Sequence, residues 1–307
     1  MQIPQILEGY VFKNHSLSLI QKDLRALNDD EVLIKNQAIS LNPVDWKVIK
    51  NEQTFIGVDG MGVAISAQDS RIQIGARYAY HCDLKHDGSF ADYTIVKAKA
   101  LIPITQHTNN LLAAAMPCPG LSAFQAIEKI PNIFGKEVLV NGAGGMLGKI
   151  LVSLLILQGA KVSTISSKIH HQALLQQGVL NCFDYSADIT SSRFDVIFDT
   201  TGKADELLGL LKYYGHIVAI LGRVNKNNIE AFSTCPSLHE IALGAIHSYG
   251  DDKDFSHLIS NATKLYTLAL ENKLLLPKFE VIDFDAIPQA LNSLKEGIQG
   301  IKFIATI

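Results

Sequence analysis

The sequence predicts an α/β fold, in which a domain of short β strands is followed by a parallel, doubly wound sheet. Apolar residues make up 48% and charged residues 19% of the 307 positions. Strand-like segments separated by turns fill the first third, and strands alternate with helices from about residue 116. This composition is typical of a compact core, and the length suits about two domains.

The first third of the chain contains short apolar segments between turn residues. Segment 31–35 is apolar between charged ends, and segments 77–80 and 93–96 are aromatic and β-branched. Glycines interrupt residues 57–75, and an Asp-Gly-Ser turn lies at 87–89. Several short strands with frequent turns predict a small β barrel or sandwich.

Strands and helices alternate in the middle of the chain. Four apolar segments predict buried strands, at 137–140, 161–165, 195–199 and 217–221. Helices are predicted from about 147 to 155, at 171–177 and at 206–211. Because parallel sheets are covered on both faces, continuous apolar strands joined by helices predict a parallel sheet. The tail predicts an amphipathic helix at 255–271 and a last strand at 303–307.

Charge and cysteine content exclude several classes of protein. Lys and Arg number 27 against 30 Asp and Glu, so no basic excess points to nucleic acid. No Cys-x-x-Cys pair occurs among the four cysteines, which argues against a zinc knuckle or a disulfide scaffold. No basic leader precedes an apolar run, and no stretch approaches the roughly 18 apolar residues of a membrane span. We expect a soluble, cytoplasmic protein without nucleic-acid or membrane partners.

A glycine-rich turn connects the strand predicted at 137–140 to the following helix. Its residues are Ala143, Gly144, Gly145, Met146, Leu147 and Gly148. Such a turn between a buried strand and an amphipathic helix is typical of dinucleotide binding. Gly145 lets a pyrophosphate approach the backbone, Gly148 lets helix and strand pack closely, and the helix N-terminus favours the anion. An ordinary glycine-rich turn is the alternative interpretation.

The end of the next strand bears on the choice of nucleotide. Ser166, Ser167 and Lys168 stand about 20 residues after the last glycine, where an NAD site carries an acidic residue for the ribose 2′-hydroxyl. Two hydroxyls and a lysine suit a 2′-phosphate instead, through hydrogen bonds and charge. The sequence therefore predicts NADPH, with a solvated loop as the alternative interpretation.

Five further segments follow one another in a family-specific order. They are 38–47 (AISLNPVDWK), 57–63 (GVDGMGV), 75–78 (GARY), 88–93 (GSFADY) and 120–126 (GLSAFQA). They are similar to SxNPxDxK, GxDxxGxV, GDRV, GSFAEY and GLTAxxA, respectively. The chain thus resembles the medium-chain dehydrogenase/reductase superfamily, and within it the zinc-independent quinone oxidoreductase branch.

The resemblance implies a particular domain organisation. A chaperonin-10-like (GroES-like) β-barrel catalytic domain is implied for 1–117 and 250–307, and a Rossmann dinucleotide-binding domain for 118–249. The resemblance also implies an active site between the two domains and, as in many members, a homodimer. Met146 stands where the family often has glycine, and the 57–75 region is shorter than in most members.

Site residues are implied by the matched positions. Asn42 matches an asparagine near the nicotinamide and the substrate, and Ser122 matches a residue that faces the cofactor. Lys302 matches a basic residue often found near the cofactor. The other implied cofactor positions, besides the glycine turn, are Ser166, Ser167, Lys168, Tyr185, Leu221 and Gly222.

The resemblance also bears on metal binding. Zinc-dependent relatives supply a cysteine, a His-Glu pair and a third ligand, whereas here Asn42 and Val58-Asp59 stand at the first two places. Only Cys118 remains, and a catalytic zinc needs about three protein ligands. No metal is therefore expected, and Cys118 is predicted to be a buried structural thiol. A polar turn is the interpretation given to the group His81, Asp83, His86 and Asp87.

Together these observations predict an NADPH-dependent oxidoreductase that transfers a hydride to a quinone or activated enone without zinc. Such a reduction mainly requires that cofactor and substrate be oriented. The substrate oxygen needs a hydrogen-bond donor, for which Asn42 and Tyr80 are the candidates. Two alternatives stay open: an alcohol, carbonyl or enoyl-thioester reductase of the same fold, and a cofactor-binding sensor or structural protein with little turnover.

Overall fold

The computed structural model describes residues 3–13, 16–47 and 52–307. The chain divides into two compact units. Unit 1 comprises Met1–Cys118, Gly244–Leu270 and Lys278–Ile307, and unit 2 comprises Pro119–Leu243 and Glu271–Pro277. The domain limits predicted from the sequence stay a prediction.

The secondary structure alternates along the chain as follows. The strands are β1 (Ile6–Lys13), β2 (Ser16–Asp23), β3 (Glu31–Ser40), β4 (Asp59–Ala67), β5 (Arg77–His81), β6 (Tyr93–Lys97), β7 (Leu101–Pro103), β8 (Glu137–Asn141), β9 (Lys161–Ile165), β10 (Asn181–Phe183), β11 (Phe194–Asp199), β12 (Leu211–Ala219), β13 (Ser237–Glu240), β14 (Lys278–Asp283) and β15 (Ile301–Thr306). The α-helices are α1 (Val44–Lys47), α2 (Asn110–Ala115), α3 (Pro117–Glu128), α4 (Met146–Leu157), α5 (His171–Gln177), α6 (Ile246–Tyr249), α7 (Asp252–Leu270) and α8 (Ile287–Lys295).

The main sheet of unit 1 joins strands from both ends of the chain. Its order is β14-β15-β3-β4-β5-β7, β6 pairs with β3, and β1 and β2 form a separate hairpin. The last strand, β15, runs antiparallel to β3, with Ile304 opposite Ser40. The C-terminal segment therefore completes the sheet of the N-terminal part of the chain.

Two glycines explain why the sequence did not indicate strand β4. Glycine weakens a strand unless another group must approach its backbone closely. A Cβ at Gly60 would lie 2.3 Å from the hydroxyl oxygen of Tyr80, and one at Gly62 would lie 2.0 Å from the carbonyl oxygen of Lys35. Neighbouring groups therefore pack on β4 more closely than a side chain would allow.

The sheet of unit 2 is parallel throughout. Its order is β10-β9-β8-β11-β12-β13, so the first strand along the chain, β8, lies near the centre. This is the doubly wound arrangement, in which ligands bind beyond the carboxyl ends of the strands. Val138, Leu139 and Val140 of β8 have no exposed surface, as expected for a strand covered on both faces. The predicted parallel, doubly wound sheet is confirmed.

Two elements of the structure differ from their predictions in bounds or in type. The helix predicted at 206–211 is a 3₁₀ helix over Ala204–Leu210, and the strand predicted at 217–221 runs over Leu211–Ala219. The buried residues of the 3₁₀ helix are Ala204, Leu207 and Leu210. Their spacing of three matches the three residues per turn of this helix type, which explains the difference.

Helix α7 belongs to unit 1 and packs one face against the rest of that unit. Phe255 belongs to the same buried cluster as Tyr80 and Leu101, and the Tyr266 hydroxyl donates to the carbonyl oxygen of Ala113 at 2.8 Å. The amphipathic helix predicted for this part of the tail is thus present. No helix in the described ranges combines the length and the apolar character that crossing a bilayer requires.

Candidate functional site

The glycine turn of unit 2, residues 142–148, lies between β8 and α4. Gly145 is the N-cap of α4 and offers no side chain to the helix, and the N–H of Lys149 makes a helical bond to the carbonyl oxygen of Gly145 at 2.9 Å. The N–H groups of a helix's first turn have no partner within the helix. Because no side chain caps them here, they are available to an anionic ligand.

The glycines of this turn differ in the space around them. A Cβ at Gly148 would lie 2.4 Å from the carbonyl oxygen of Gly142 and 2.7 Å from the Cα of Ala143, so only glycine fits there. A Cβ at Gly145, in contrast, would have no atom of the described residues within 4 Å, apart from Gly145 itself and its two chain neighbours. Met146 is buried. The turn therefore combines close packing of helix on strand with open space at the helix start.

Strand β9 and the glycine turn share one edge of the sheet. The carbonyl oxygen of Ile165 accepts from the N–H groups of Gly142 and Ala143, at 3.0 and 3.2 Å. Ser166 follows Ile165 and is fully buried, and its hydroxyl has no hydrogen-bond partner among the described residues. Ser166 therefore lies directly beside the turn, and its role in nucleotide binding stays a prediction.

The other residues predicted for the ribose phosphate are more exposed. Ser167 is half-buried, Lys168 is exposed, and Tyr185 is 56% exposed. Lys168 lies near Asp184, where its charge adds to the hydrogen bonds from Ser186 that lower the pKa of that carboxyl. A carboxylate beside Lys168 weakens the positive potential available to a 2′-phosphate.

Three further predicted cofactor positions lie elsewhere in unit 2. Ser122 is buried on α3. Leu221 is half-buried and Gly222 is exposed, with a φ of 78° that favours glycine. A Cβ at Gly202 would lie 3.4 Å from Leu221 Cδ2, so Leu221 lies close to the residues that follow β11.

A polar network at the ends of β8 and β11 was missed by sequence analysis. The buried carboxylate of Asp199 accepts from Asn141 Nδ2 at 2.9 Å and from the Thr201 hydroxyl at 2.7 Å. It also accepts from the N–H groups of Gly202 and Lys203, at 2.9 and 2.7 Å. The network fixes the loop after β11 at the sheet edge that carries the glycine turn. The signal in the sequence that could have indicated this network is the polar residue that ends each of two apolar strands, Asn141 in β8 and Asp199 in β11.

His170 was also missed, and it packs on the glycine turn. A Cβ at Gly144 would lie 2.2 Å from His170 Cδ2 and 2.6 Å from its Nε2, so Gly144 makes room for this buried ring. No sequence motif indicated His170, because the contact depends on the turn that follows β9.

Unit 1 contains a buried polar cluster, defined by Asn42, Asp45, Asp59, His81 and Lys302. These residues are buried, and they come from the segment after β3, helix α1, the start of β4, the end of β5 and the strand β15. Asn42 and Lys302 were predicted site residues. The structure brings them into direct contact, since Lys302 Nζ donates to Asn42 Oδ1 at 2.6 Å and to the carbonyl oxygen of Leu41 at 2.8 Å.

The amide of Asn42 is held at both ends. An ammonium group only donates, so the Asn42 oxygen must face Lys302 and its Nδ2 must face the opposite side. There Nδ2 donates to Asp59 Oδ2 at 3.0 Å and, more weakly, to the carbonyl oxygen of Ser40 at 3.3 Å. A substrate oxygen would compete with the longer of these two bonds for an N–H of Asn42.

Asp45 holds the turn between β3 and α1. Its carboxyl accepts from the N–H groups of Asn42 and Val58, at 2.6 and 3.0 Å. Burial raises the pKa of Asp45 to about 8, although these hydrogen bonds oppose the shift. Burial also lowers the pKa of Lys302, against the effect of the nearby acidic groups.

Tyr80, the second predicted catalytic residue, lies on the other face of the sheet from Asp59 and His81. In the register of β4 and β5, Asp59 pairs with His81 and Gly60 with Tyr80. Since successive side chains of a strand point to opposite faces, Tyr80 points away from the buried polar cluster. Its hydroxyl donates to Asn36 Oδ1 at 2.6 Å, and burial raises its pKa well above the ordinary value. A catalytic role for Tyr80 stays a prediction, which this placement disfavours.

Three potential metal ligands converge in unit 1, and two of them are members of the cluster. One donor atom each of Asp59, His81 and Cys118 lies within 4.8 Å of the other two. Cys118 is half-buried, and its backbone N–H donates to Asp59 Oδ2 at 2.9 Å. The turn that follows β5 is separate from this group, since His86 pairs with Asp83 on the surface at 3.1 Å.

Comparison with known proteins identifies the domain type of unit 1. Residues 28–106, which include β3 to β7, match the alcohol dehydrogenase GroES-like domain. Among solved structures, the quinone oxidoreductase from Coxiella burnetii superposes with a TM-score of 0.83 over 98% of this chain and 99% of that chain, at 21% identity. These findings confirm the predicted fold class, a GroES-like β domain with a Rossmann doubly wound sheet.

Two curated relatives show moderate similarity in sequence. The chain is 27% identical over 219 residues to 2-methylene-furan-3-one reductase of Solanum lycopersicum, covering 64% of the chain and 56% of that enzyme. It is also 27% identical over 249 residues to the chloroplastic NADPH-dependent alkenal/one oxidoreductase of Arabidopsis thaliana, covering 72% and 64%. The matched parts span less than two thirds of either relative.

Proposed function

We propose that the chain is a quinone oxidoreductase-like member of the medium-chain dehydrogenase/reductase superfamily and that it is an NADPH-dependent reductase of quinones or activated enones. Its hydride step does not depend on zinc, because Asn42 and Val58 stand where zinc-dependent relatives carry ligands. The relatives that reduce furanones and alkenals support the substrate class.

The uncapped start of α4 carries this proposal. Its free N–H groups and the open space at Gly145 fit a pyrophosphate, and the tight packing at Gly148 holds the helix start against β8. NADPH supplies a hydride when it is bound. The residues that would hold its phosphates are those of the glycine turn, 142–148.

The preference for NADPH over NADH rests on the residues after β9. No carboxylate stands at Ser166, Ser167 or Lys168 to bind a ribose 2′-hydroxyl or to repel a 2′-phosphate. The buried, unpartnered hydroxyl of Ser166 and the charge of Lys168 favour the phosphate. Because Asp184 offsets part of that charge, we expect a modest preference, about tenfold.

Asn42 is the residue proposed to act on the substrate. Its amide is oriented by Lys302 and Asp59, and its second N–H bonds only weakly, at 3.3 Å, to the carbonyl oxygen of Ser40. Exchange of that bond for one to the substrate oxygen would stabilise the negative charge that develops during reduction. Tyr80 is not needed for this step.

The proposal is tested by titrating the purified protein with NADPH and NADH, followed by nucleotide fluorescence. A quinone such as 9,10-phenanthrenequinone is then added to the same sample. We expect tighter binding of NADPH and its oxidation after the quinone is added. Lys168→Gln should weaken NADPH binding about tenfold and leave NADH binding unchanged.

Lys226→Gln is the matched control, because Lys226 is also an exposed lysine of unit 2, in the loop after β12. It should change neither affinity. NADPH binding without oxidation by a panel of quinones and enones would support the sensor alternative instead. Failure to bind either nucleotide would refute the role of the glycine turn. The homodimer and the cytoplasmic location are further parts of the proposal, and gel filtration tests the first.

A further inference from the structure

We propose that Lys149, one turn into α4, binds the pyrophosphate of the nicotinamide nucleotide through its ammonium group. The inference rests on the proposed function, in which the glycine turn holds that pyrophosphate. It adds a charged side chain to a site otherwise formed by the backbone N–H groups at the helix start. Sequence analysis did not select Lys149, which directly follows the last glycine of the turn.

Two lysines are buried among the described residues, and they differ in their partners. Lys149 is 6% exposed and Lys302 is 5% exposed. The Lys302 ammonium donates to Asn42 and Leu41, whereas that of Lys149 makes no hydrogen bond or ion pair with a described residue. Burial of an unpaired charge is unfavourable, so a buried lysine normally has an acidic or polar partner. An anion bound beside Lys149 would supply this partner.

The electrostatic surroundings of Lys149 also differ from those of Lys302. Helix α4, Met146–Leu157, contains no acidic residue that could pair with Lys149 along the helix. Burial lowers the pKa of Lys149, and no acidic group opposes this shift as Asp59 and Asp45 do at Lys302. A bound pyrophosphate would bring the negative charge that favours the ammonium form.

Helical spacing directs the side chain of Lys149 towards the open start of α4. The N–H of Lys149 bonds to the carbonyl oxygen of Gly145 at 2.9 Å, so the two residues lie one turn apart on the same face. Helical side chains lean towards the N-terminus and cover the preceding turn. Four residues rise about 6 Å along the axis, a distance that the four-carbon stem of lysine can span. The ammonium and the free N–H groups can therefore contact the same anion.

The turn of α4 that carries Lys149 is held in place from within unit 2. The Ser153 hydroxyl donates to the carbonyl oxygen of Lys149 at 2.9 Å and accepts from the N–H of Leu275 at 2.9 Å. Lysine is a common phosphate ligand, because its charge can bond to any of several phosphate oxygens. The pyrophosphate is common to NADPH and NADH, so Lys149 should contribute to the affinity for both, unlike Lys168.

Calorimetric titration of Lys149→Met tests this role, because the substitution removes the charge and keeps a long apolar stem. The ligands are NADPH, NADH, ADP-ribose, which has the pyrophosphate without nicotinamide, and adenosine 2′-monophosphate, which has no pyrophosphate. We expect the affinity for the first three to fall at least about tenfold and that for adenosine 2′-monophosphate to stay unchanged. Lys168→Gln should give the complementary result, with weaker binding of NADPH and adenosine 2′-monophosphate only.

Unfolding by urea separates binding from a structural role. Lys149→Met replaces an unpaired buried charge by an apolar side chain, so the unfolding midpoint without nucleotide should not fall. Added NADPH should raise the midpoint less in this variant than in the unmodified protein, because ligand stabilisation follows affinity. The matched control is Lys161→Met, an exposed lysine that begins β9 at the opposite edge of the sheet. It should change none of the four affinities.

Three results would overturn the role of Lys149. They are an unchanged affinity of Lys149→Met for ADP-ribose, an equal loss of affinity for adenosine 2′-monophosphate, and a lower unfolding midpoint without nucleotide. In each of them the unmodified protein still binds nucleotide, so the proposed function is unaffected. If the unmodified protein binds none of the four ligands, the proposed function fails, and the role of Lys149 fails with it. Because the titrations need no turnover, the result does not depend on which substrate is reduced.

Discussion

In the buried polar cluster of unit 1, both ends of the Asn42 amide are bonded by other residues of the chain. In the glycine turn of unit 2, the N-cap Gly145 offers no capping side chain to α4, and a Cβ added there would have no neighbouring side chain or backbone of the described residues within 4 Å. The polar groups of the cluster are therefore satisfied by hydrogen bonds to one another, which stabilise the fold. The N–H groups of the turn are available to bind a ligand instead. Substitutions in the cluster should mainly lower the free energy of unfolding. Substitutions at the open end of the turn should mainly weaken nucleotide binding.

The largest loss of stability is expected for Lys302→Met. Removal of the ammonium leaves the Asn42 oxygen and two buried carboxyls without their cation, so the free energy of unfolding should fall by about 3 kcal/mol. Urea unfolding measures this loss. Lys278→Met, on the exposed surface of β14, should change it by less than about 0.5 kcal/mol. Equal effects of the two substitutions would contradict the central role of Lys302.

Two glycine substitutions separate packing from binding in the turn. Gly148→Ala forces a Cβ against the backbone of Gly142 and Ala143, so it should destabilise the chain by about 2 kcal/mol. The Cβ of Gly145→Ala would clash with none of the described residues, so it should cost less than about 1 kcal/mol, but it should weaken NADPH binding about tenfold. Unfolding and nucleotide titration of both variants check the contrast. If Gly145→Ala binds NADPH normally, the pyrophosphate does not lie there.

Tyr80→Phe tests whether unit 1 uses its second predicted catalytic group. The substitution removes the bond to Asn36 Oδ1 and leaves that oxygen buried, so stability should fall by about 1.5 kcal/mol. The rate of quinone reduction should not change, because Tyr80 points away from the buried polar cluster. Steady-state kinetics of quinone reduction, measured well below the unfolding temperature, test whether Tyr80 is needed for catalysis. A large drop in kcat with a folded protein would restore the catalytic prediction.

The smallest loss of stability is expected when an ion pair outside the cluster is removed. The guanidinium of Arg25, bonded to Glu31 at 2.7 Å, lowers the pKa of that carboxyl to about 2. The pair therefore stabilises the fold above the ordinary pKa of about 4.5, and this contribution is lost as the pH falls from there towards 2. Because Arg25 is half-exposed, Glu31→Gln should cost only about 1 kcal/mol at pH 7 and less at pH 3. Urea unfolding at both pH values measures the difference.

Local patterns explain what the sequence could predict. The glycine turn and the strands β8, β9 and β11 were indicated by runs of adjacent residues, and the structure has them at those places. Strand β4 and the hairpin of β1 and β2 were not indicated, since their residues lack a clear apolar pattern or contain glycine. The contact between Asp59 and His81 depends on strand register, which one sequence does not reveal. Asn42 and Lys302 were predicted only through the family resemblance.

The pairing of β15 with β3 has a consequence for biosynthesis. The bond from Lys302 to Leu41 joins residues 261 positions apart, and the strand that carries Lys302 lies between β14 and β3 in the sheet of unit 1. Most of unit 2 leaves the ribosome earlier, with all its strands, and contacts close in sequence form fastest. The sheet of unit 1 is therefore completed only when Ile301–Thr306 has been translated, and until then residues 38–40 of β3 lack one of their two partner strands.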